Sequence, residues 1–113
     1  MNQVGKTSER FGRLVKSQSD MMFALGDLAL ELVCPGQADY LDSFAEAVGM
    51  NAATLRRYRR VSAAWPQDKR EKRVSWSVHA ILAAHPHRFT IIQNPPSKGW
   101  TCSAAREVMQ EFK

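Results

Sequence analysis

The sequence lacks several features that define specialised classes of protein. Its two cysteines are too few for a disulfide framework, and no apolar run approaches the roughly 20 residues that cross a bilayer. Residues 1–16 are polar and basic, without the apolar stretch of a secretory signal. No glycine-rich phosphate loop or Ser-His-Asp pattern can be assembled. With 113 residues, the chain is also too short for a barrel enzyme. These absences favour a small cytoplasmic protein that is not an enzyme.

Basic side chains are missing from residues 17–55, which carry six acidic residues and no Lys or Arg. The following block, residues 56–73, holds eight basic residues against two acidic ones. The net charge of +5 therefore combines an acidic half with one short basic block. Most charge runs are solvated helix faces, but so dense a block is also typical of proteins that bind nucleic acid.

Strand signals are scarce, because no alternation of apolar and polar residues is sustained. Apolar residues recur at helical spacing instead, so the chain is expected to be a compact all-α domain. Ser17 and Asp20 resemble a capping box, Cys34-Pro35-Gly36 is a stop signal, and Asn51, Ser75 and Thr101 are predicted N-caps. The predicted helices cover about 7–16, 18–33, 41–48, 52–64, 76–84, 86–92 and 102–112.

Three segments follow from this pattern: a basic N-terminal arm at 1–17, a helix-turn-helix unit at 18–66, and a second helical subunit at 67–113. The second subunit is expected to bury Trp76, Phe89 and Trp100 against the first. Gly26 costs the helix at 18–33 about 1 kcal/mol relative to alanine, which a close approach of another backbone would explain.

Residues 41–60 match a helix-turn-helix at its most demanding positions. Ala45 falls where the two helices must cross closely, and Gly49 falls where the turn requires a positive φ. The side chains expected to pack the two helices together are Phe44, Val48, Leu55 and Tyr58.

The second helix of this unit would place short and basic side chains in the major groove of DNA. Ala52 and Ala53 permit close approach, and the forked donors of arginine match guanine O6 and N7. Asn51 could either cap the helix or read adenine. The predicted base-reading residues are Asn51, Ala52, Ala53, Arg56 and Arg57. The predicted ligands of the DNA backbone are Thr54, Arg59, Arg60, Lys69, Arg70, Lys72, Arg73, Ser75 and Ser77.

The three histidines, His79, His85 and His87, do not combine with Cys102 into a zinc-binding pattern. No metal and no other cofactor is expected. His79 is interpreted as an exposed or hydrogen-bonded histidine, with a phosphate contact as the alternative.

Four stretches together resemble a family of actinobacterial helix-turn-helix proteins carried by chromosomes, plasmids and phages. They are FALGDLAL at 23–30, LRRYRRV at 55–61, VSWSVHAIL at 74–82, and Trp100-Thr101 after a proline pair. The resemblance implies an all-helical DNA-binding regulator and brings no catalytic residue. The second half also faintly resembles the helical DNA-binding domains of plasmid partition proteins.

The expected function is sequence-specific binding of double-stranded DNA by a nucleoid-associated transcriptional regulator, a repressor, without membrane or small-molecule partners. One alternative is a plasmid or phage maintenance or partition protein. Another is a protein-interaction adaptor that uses the acidic face of 17–55. Small helix-turn-helix domains usually bind DNA as dimers, so a homodimer is an option. No coiled-coil heptad or long apolar edge marks its interface.

Overall fold

The computed structural model describes residues 3–32 and 38–112, with side-chain surroundings for 9–31 and 41–112. Within these ranges the chain is all-α and contains no strand, which confirms the predicted fold class. None of the described helices is long and apolar enough to cross a membrane. A single 3-10 turn at Gln67–Lys69 lies between the third and fourth helices. The helices are α1 (Gln3–Leu32), α2 (Ala38–Ala47), α3 (Ala52–Ala64), α4 (Trp76–Leu82), α5 (Arg88–Ile92) and α6 (Cys102–Phe112).

The first helix is continuous where the sequence predicts a basic arm followed by a second helix. Ser17 and Asp20 lie inside α1, so the predicted capping box is wrong. Both residues disfavour a helix interior only weakly, and α1 contains no proline that would break it. The predicted stop signal at 34–36 falls outside the described residues.

The connection between α2 and α3 has the predicted turn chemistry. Gly49 adopts a φ of +75°, which a side chain would strain. Asn51 then caps α3, because its Oδ1 accepts hydrogen bonds from the backbone N–H groups of Ala53 (2.8 Å) and Thr54 (3.3 Å). The predicted start and end of α3 at residues 52 and 64 are confirmed.

The interface of α1, α2 and α3 forms a first apolar core around Ala29, Leu41, Ala45 and Leu55, all essentially inaccessible to solvent. The close crossing predicted at Ala45 is therefore confirmed. Val48 does not join this core: α2 ends at Ala47, and the Val48 side chain is 51% exposed.

A second, larger core gathers residues from α1, α3, α4, α5 and α6 around Trp65. Trp76 is buried in it, and Phe89 and Trp100 pack against it half-buried. Tyr58, predicted to pack α3 against α2, instead meets the Trp76 ring edge-on with 5.2 Å between centroids. Residues before and after position 66 thus share one core.

Gly26 lies where α1 and α3 touch backbone to backbone. A Cβ atom built at Gly26 would overlap the Tyr58 carbonyl and Ser62 Oγ. The Ser62 hydroxyl also donates to the Phe23 carbonyl at 3.2 Å, within the same buried contact. The close backbone approach expected from the sequence is confirmed.

We expect Gly26→Ala to lower the free energy of unfolding by about 1–3 kcal/mol, because its methyl group must separate the two helices. Gly12→Ala is the matched control, since Gly12 lies in the same helix with nothing within 4 Å of its added Cβ. That change should stabilise the protein by about 0.5–1 kcal/mol through helix propensity. Urea unfolding measures both. Equal effects of the two substitutions would contradict the close contact at Gly26.

Candidate nucleic-acid interface

The outer face of α3 is defined by the exposed side chains of Ala53, Arg57 and Arg60. These residues follow one another at intervals of four and three, so they lie on one side of the helix. Leu55 and Ser62 are buried on the opposite side. α3 contains four arginines and no acidic residue. The helix therefore presents to solvent a strongly basic surface with one short side chain, that of Ala53, near its N-terminus.

Two of the predicted base-reading residues lie toward α2 rather than on the outer face. Arg56 forms an ion pair with Asp42 of α2, through hydrogen bonds of 2.8 and 3.1 Å to the same carboxylate oxygen. Its side chain remains 41% exposed. Ala52 is half-buried and packs against the first core, so the prediction that it lies open to a base is wrong. Its position one turn before Leu55 places it on the flank that faces α2.

The remaining predicted residues at the start and the side of α3 differ in their environments. Asn51 caps the helix, and its side-chain oxygen is occupied by two backbone N–H groups. Thr54 is exposed beside it. Arg59 is half-buried, so it flanks the outer face without belonging to it.

An arginine–tryptophan contact connects the outer face of α3 to the start of α4. The guanidinium carbon of Arg57 lies 5.2 Å from the centroid of the buried Trp76 ring. Ser77 is exposed directly after Trp76. Ser75 caps α4 and accepts from the Val78 N–H at 3.4 Å, while Ser19 Oγ of α1 accepts from the Trp76 N–H at 3.0 Å. Nothing in the sequence pattern of α1 indicated this role of Ser19.

Arg70, predicted to contact phosphate, makes its hydrogen bonds within the protein instead. It pairs with Asp27 of α1 through hydrogen bonds of 2.7 and 2.9 Å, and its Nε donates to the Trp65 carbonyl at 2.7 Å. The guanidinium also stacks over Phe23, 4.3 Å from the ring centroid. Its hydrogen bonds hold the pKa of Asp27 below its ordinary value. Only 14% of the Arg70 side chain is exposed, so the group is committed within the protein.

The other cations of the basic block divide between two places. Lys69 is exposed, with its Nζ 5.8 Å from the Phe89 ring centroid. Lys72 and Arg73 line a groove of about 980 Å³ between α1 and the segments 67–75 and 92–100. Lys16 of α1 lines the same groove. The structure thus places a lysine of the N-terminal segment beside these two cations. In the sequence, only the net charge of +3 over residues 1–16 indicated a role for that lysine.

His79 is fully buried, which settles between the exposed and hydrogen-bonded interpretations. Its Nδ1 lies 2.9 Å from the Ser75 carbonyl, and its Nε2 accepts the Glu71 N–H at 3.1 Å. A carbonyl requires a donor and an N–H requires an acceptor, so this arrangement fits the neutral ring protonated at Nδ1. Burial lowers the pKa of His79 below its ordinary value.

Metal-binding side chains do not converge in the described part of the chain, where no three of His, Cys, Asp and Glu come together. His85 and His87 are close, and the His87 N–H donates to His85 Nδ1 at 3.0 Å. Cys102 is a half-buried free thiol.

Comparison with known protein families gives a partial match. Residues 65–112 match a protein family of unknown function, DUF6192. The matched stretch runs from Trp65 to the end of α6 and covers less than half of the chain. No curated protein and no solved structure matches the chain.

The buried neutral His79 predicts a loss of stability in mild acid. Unfolded histidine takes up a proton near its ordinary pKa of about 6.5, whereas folded His79 does so only at lower pH. The free energy of unfolding should therefore fall as the pH is lowered from 7 to 5. Asp27, with its lowered pKa, adds a further loss only below about pH 4.

Chemical denaturation across this pH range measures the effect, and NMR titration of the histidine rings assigns it. The matched control is His87→Gln, an exposed position that should keep the decline, whereas His79→Gln should abolish it. If the His79 ring titrates at the ordinary histidine pKa of about 6.5, the proposed neutral state is wrong.

Proposed function

We propose that the protein binds double-stranded DNA sequence-specifically and acts as a transcriptional regulator, specifically a repressor. The observation that carries this proposal is the outer face of α3. A well-capped helix, packed on its inner side, turns Ala53, Arg57 and Arg60 to solvent with no acidic side chain among them. A recognition helix must combine such close approach with donors for base edges.

The dimensions of α3 suit the major groove. Its 13 residues span about 20 Å, and a helix enters a groove about 12 Å wide. Ala53 near the N-terminus permits close approach, and Arg57 one turn later reaches base edges. Its contact with Trp76 limits the orientations of the guanidinium before DNA arrives.

Arg56 serves as a second base-reading arginine at the edge of the outer face. Its partner Asp42 is itself 52% exposed, and ion pairs of this kind contribute only about 0–1 kcal/mol. DNA can therefore compete for the guanidinium. Until then, Asp42 holds the planar fork in one direction, which favours bidentate recognition of guanine.

Phosphate contacts are assigned to the groups that surround this face. Arg60 and Thr54 are exposed on α3, and Arg59 flanks them. Further phosphate contacts are assigned to Lys69, Lys72, Arg73, Ser75 and Ser77. Arg70 is left out because its guanidinium is hydrogen-bonded within the protein. The Ser75 oxygen already caps α4, but its hydroxyl proton remains able to donate to a phosphate oxygen.

The resemblance to actinobacterial helix-turn-helix regulators supports the same proposal, because its Arg-rich stretch at 55–61 lies within α3. The adaptor alternative loses part of its basis in the structure. Asp27 and Asp42, two acidic residues of the 17–55 segment, are already paired with Arg70 and Arg56. The acidic face is therefore partly neutralised within the molecule.

Selection from a random double-stranded DNA library at about physiological salt tests the proposal. We expect an enriched sequence motif. Binding without enrichment would contradict sequence-specific recognition and leave only a general affinity for phosphate. Mapping the motif in the source genome then separates the two DNA-binding roles: sites at promoters support a repressor, whereas an array of sites near the gene supports a maintenance protein.

Variants of exposed arginines separate base reading from backbone binding. Arg57→Ala should cost about 1–3 kcal/mol on the selected site and relax one base position. Arg73→Ala should weaken binding to specific and random DNA alike and reduce the salt slope by about 1. Arg106→Ala, an exposed arginine on α6, is the matched control and should change neither. Fluorescence anisotropy over a salt series measures all three. Equal losses on specific and random DNA for Arg57→Ala would contradict its assignment to a base.

A further inference from the structure

The N-terminal half of α1 extends away from both cores. Residues 9–18 are all exposed, although α1 continues through them without a break. A helix of 30 residues is about 45 Å long. The radius of gyration is accordingly 15.9 Å, above the roughly 13 Å of a compact domain of this size. This half of α1 therefore borders the groove at Gly12, Val15 and Lys16 but buries none of the side chains of residues 9–18.

An apolar stripe nevertheless runs along the length of α1. Leu14, Met21 and Leu28 recur every seven residues and are 66%, 56% and 45% exposed. A second row of the same period contains Phe11, which is 65% exposed, then Gln18, and ends at Leu25, whose half-buried side chain also packs against the first core. These are the a and d rows of a coiled-coil heptad, here called the α1 seam. The two rows run through one continuous helix, across the break that was predicted before residue 17, and differ from the expectation that no heptad marks an interface.

An unpartnered seam of this kind is unfavourable in water. A helical segment of about ten residues is only marginally stable alone, and most helical stability in proteins comes from packing an apolar face. Large exposed apolar side chains in one row also indicate an interaction surface. A second helix along the α1 seam would bury the exposed part of these side chains.

The charges that flank the seam identify the second helix. At the edge of the seam, Arg10 lies near its N-terminal end and Glu31 near its C-terminal end, and both occupy the g position of the heptad. A copy of α1 that runs in the opposite direction would place basic residues beside acidic ones at both ends. We propose that two copies of this chain associate through antiparallel pairing of their α1 helices along the α1 seam.

The heptad rows determine the register of this pairing. In an antiparallel pair, the a residues of one helix pack against the d residues of the other. This places Phe11 against Leu28 of the second copy and Leu14 against its Leu25. Gln18 then lies near the two-fold axis, where one polar residue favours a single register over its alternatives. The interface is isologous, so every contact occurs twice and no surface remains open for further growth.

One ion pair tests the orientation directly. In this register Arg10 lies beside Glu31 of the second copy, on the edge of the seam. Both side chains are exposed, and neither belongs to an ion pair among the described side chains. Parallel pairing would leave these two residues at opposite ends of the interface.

Sedimentation equilibrium without DNA measures the association. We expect twice the 12.8 kDa of one chain for the natural sequence, and a single-chain mass for Leu28→Glu. Leu30→Glu is the matched control, because Leu30 is 42% exposed on the same turn of α1 but lies off the seam. It should remain dimeric. A monomeric natural protein, or the same mass for both variants, would overturn the proposal; circular dichroism verifies that each variant is folded.

Charge reversal tests the antiparallel register. Arg10→Glu and Glu31→Arg should each weaken the dimer by about fivefold or more, since each creates two like-charge contacts. The double variant should restore the affinity of the natural protein. Absence of restoration would overturn the register.

A separate consequence rests on the proposed function: a two-fold dimer carries two outer faces of α3 and selects a palindromic DNA site. Because mass is measured without DNA, the two proposals fail independently. A monomer that enriches a motif would overturn only the dimer. A dimer that enriches no DNA motif would overturn only the proposed sequence-specific DNA binding.

Discussion

The rest of the structure depends on the contact between the buried indole of Trp65 and His79. The indole N–H donates to the His79 carbonyl at 2.8 Å, and the indole ring meets the His79 imidazole edge-on with 4.7 Å between centroids. The same imidazole meets the Phe23 ring of α1 edge-on, with 5.1 Å between the ring centroids. Trp65 also ends α3, because it precedes Pro66 and leaves the helical region. One residue thus sets the length of α3 and attaches it to α4 and, through His79, to α1.

The arginines of this protein have two different roles, and only their surroundings distinguish them. Arg70 and Arg88 donate to the carbonyls of Trp65 and Ala64, so two cations occupy the C-terminal end of α3. Positive charge at that end of a helix is favourable. Arg57 and Arg60 remain exposed on the outer face. The position of an arginine within a basic block therefore says little about whether it is available to a ligand.

Local signals predicted the parts of the fold that local chemistry decides. α3 begins and ends where its Asn cap and Trp-Pro pair indicate, and Gly26 and Gly49 have the predicted reasons for their glycines. The predicted break before Ser17 is wrong, because a weak capping pattern does not stop a helix that contains no proline. The two apolar rows of α1 lie on both sides of that predicted boundary.

The candidate site was predictable in its helix but not in its individual partners. Spacing along α3 identified Arg57 and Arg60 as exposed. It did not reveal that Asp42 engages Arg56, or that Asp27 lies 43 residues before the Arg70 it binds. Such pairs form between elements that are distant in sequence, so no local window contains them. The burial of His79 has the same origin, since its aromatic neighbours are Phe23 of α1 and Trp65 just after α3, whereas its hydrogen-bond partners Ser75 and Glu71 are close in sequence.

The glycine contact between α1 and α3 has a mechanical consequence. At Gly26 the backbone of α1 lies against the Tyr58 carbonyl of α3, with the Ser62 hydroxyl in the same contact. The long helix α1 is therefore held against α3 at this contact. Any partner that sets the angle of the projecting half of α1 also sets the direction in which the arginines of α3 point. Distance and orientation between two such molecules would then be built into the fold, with little freedom to adapt to a differently spaced target.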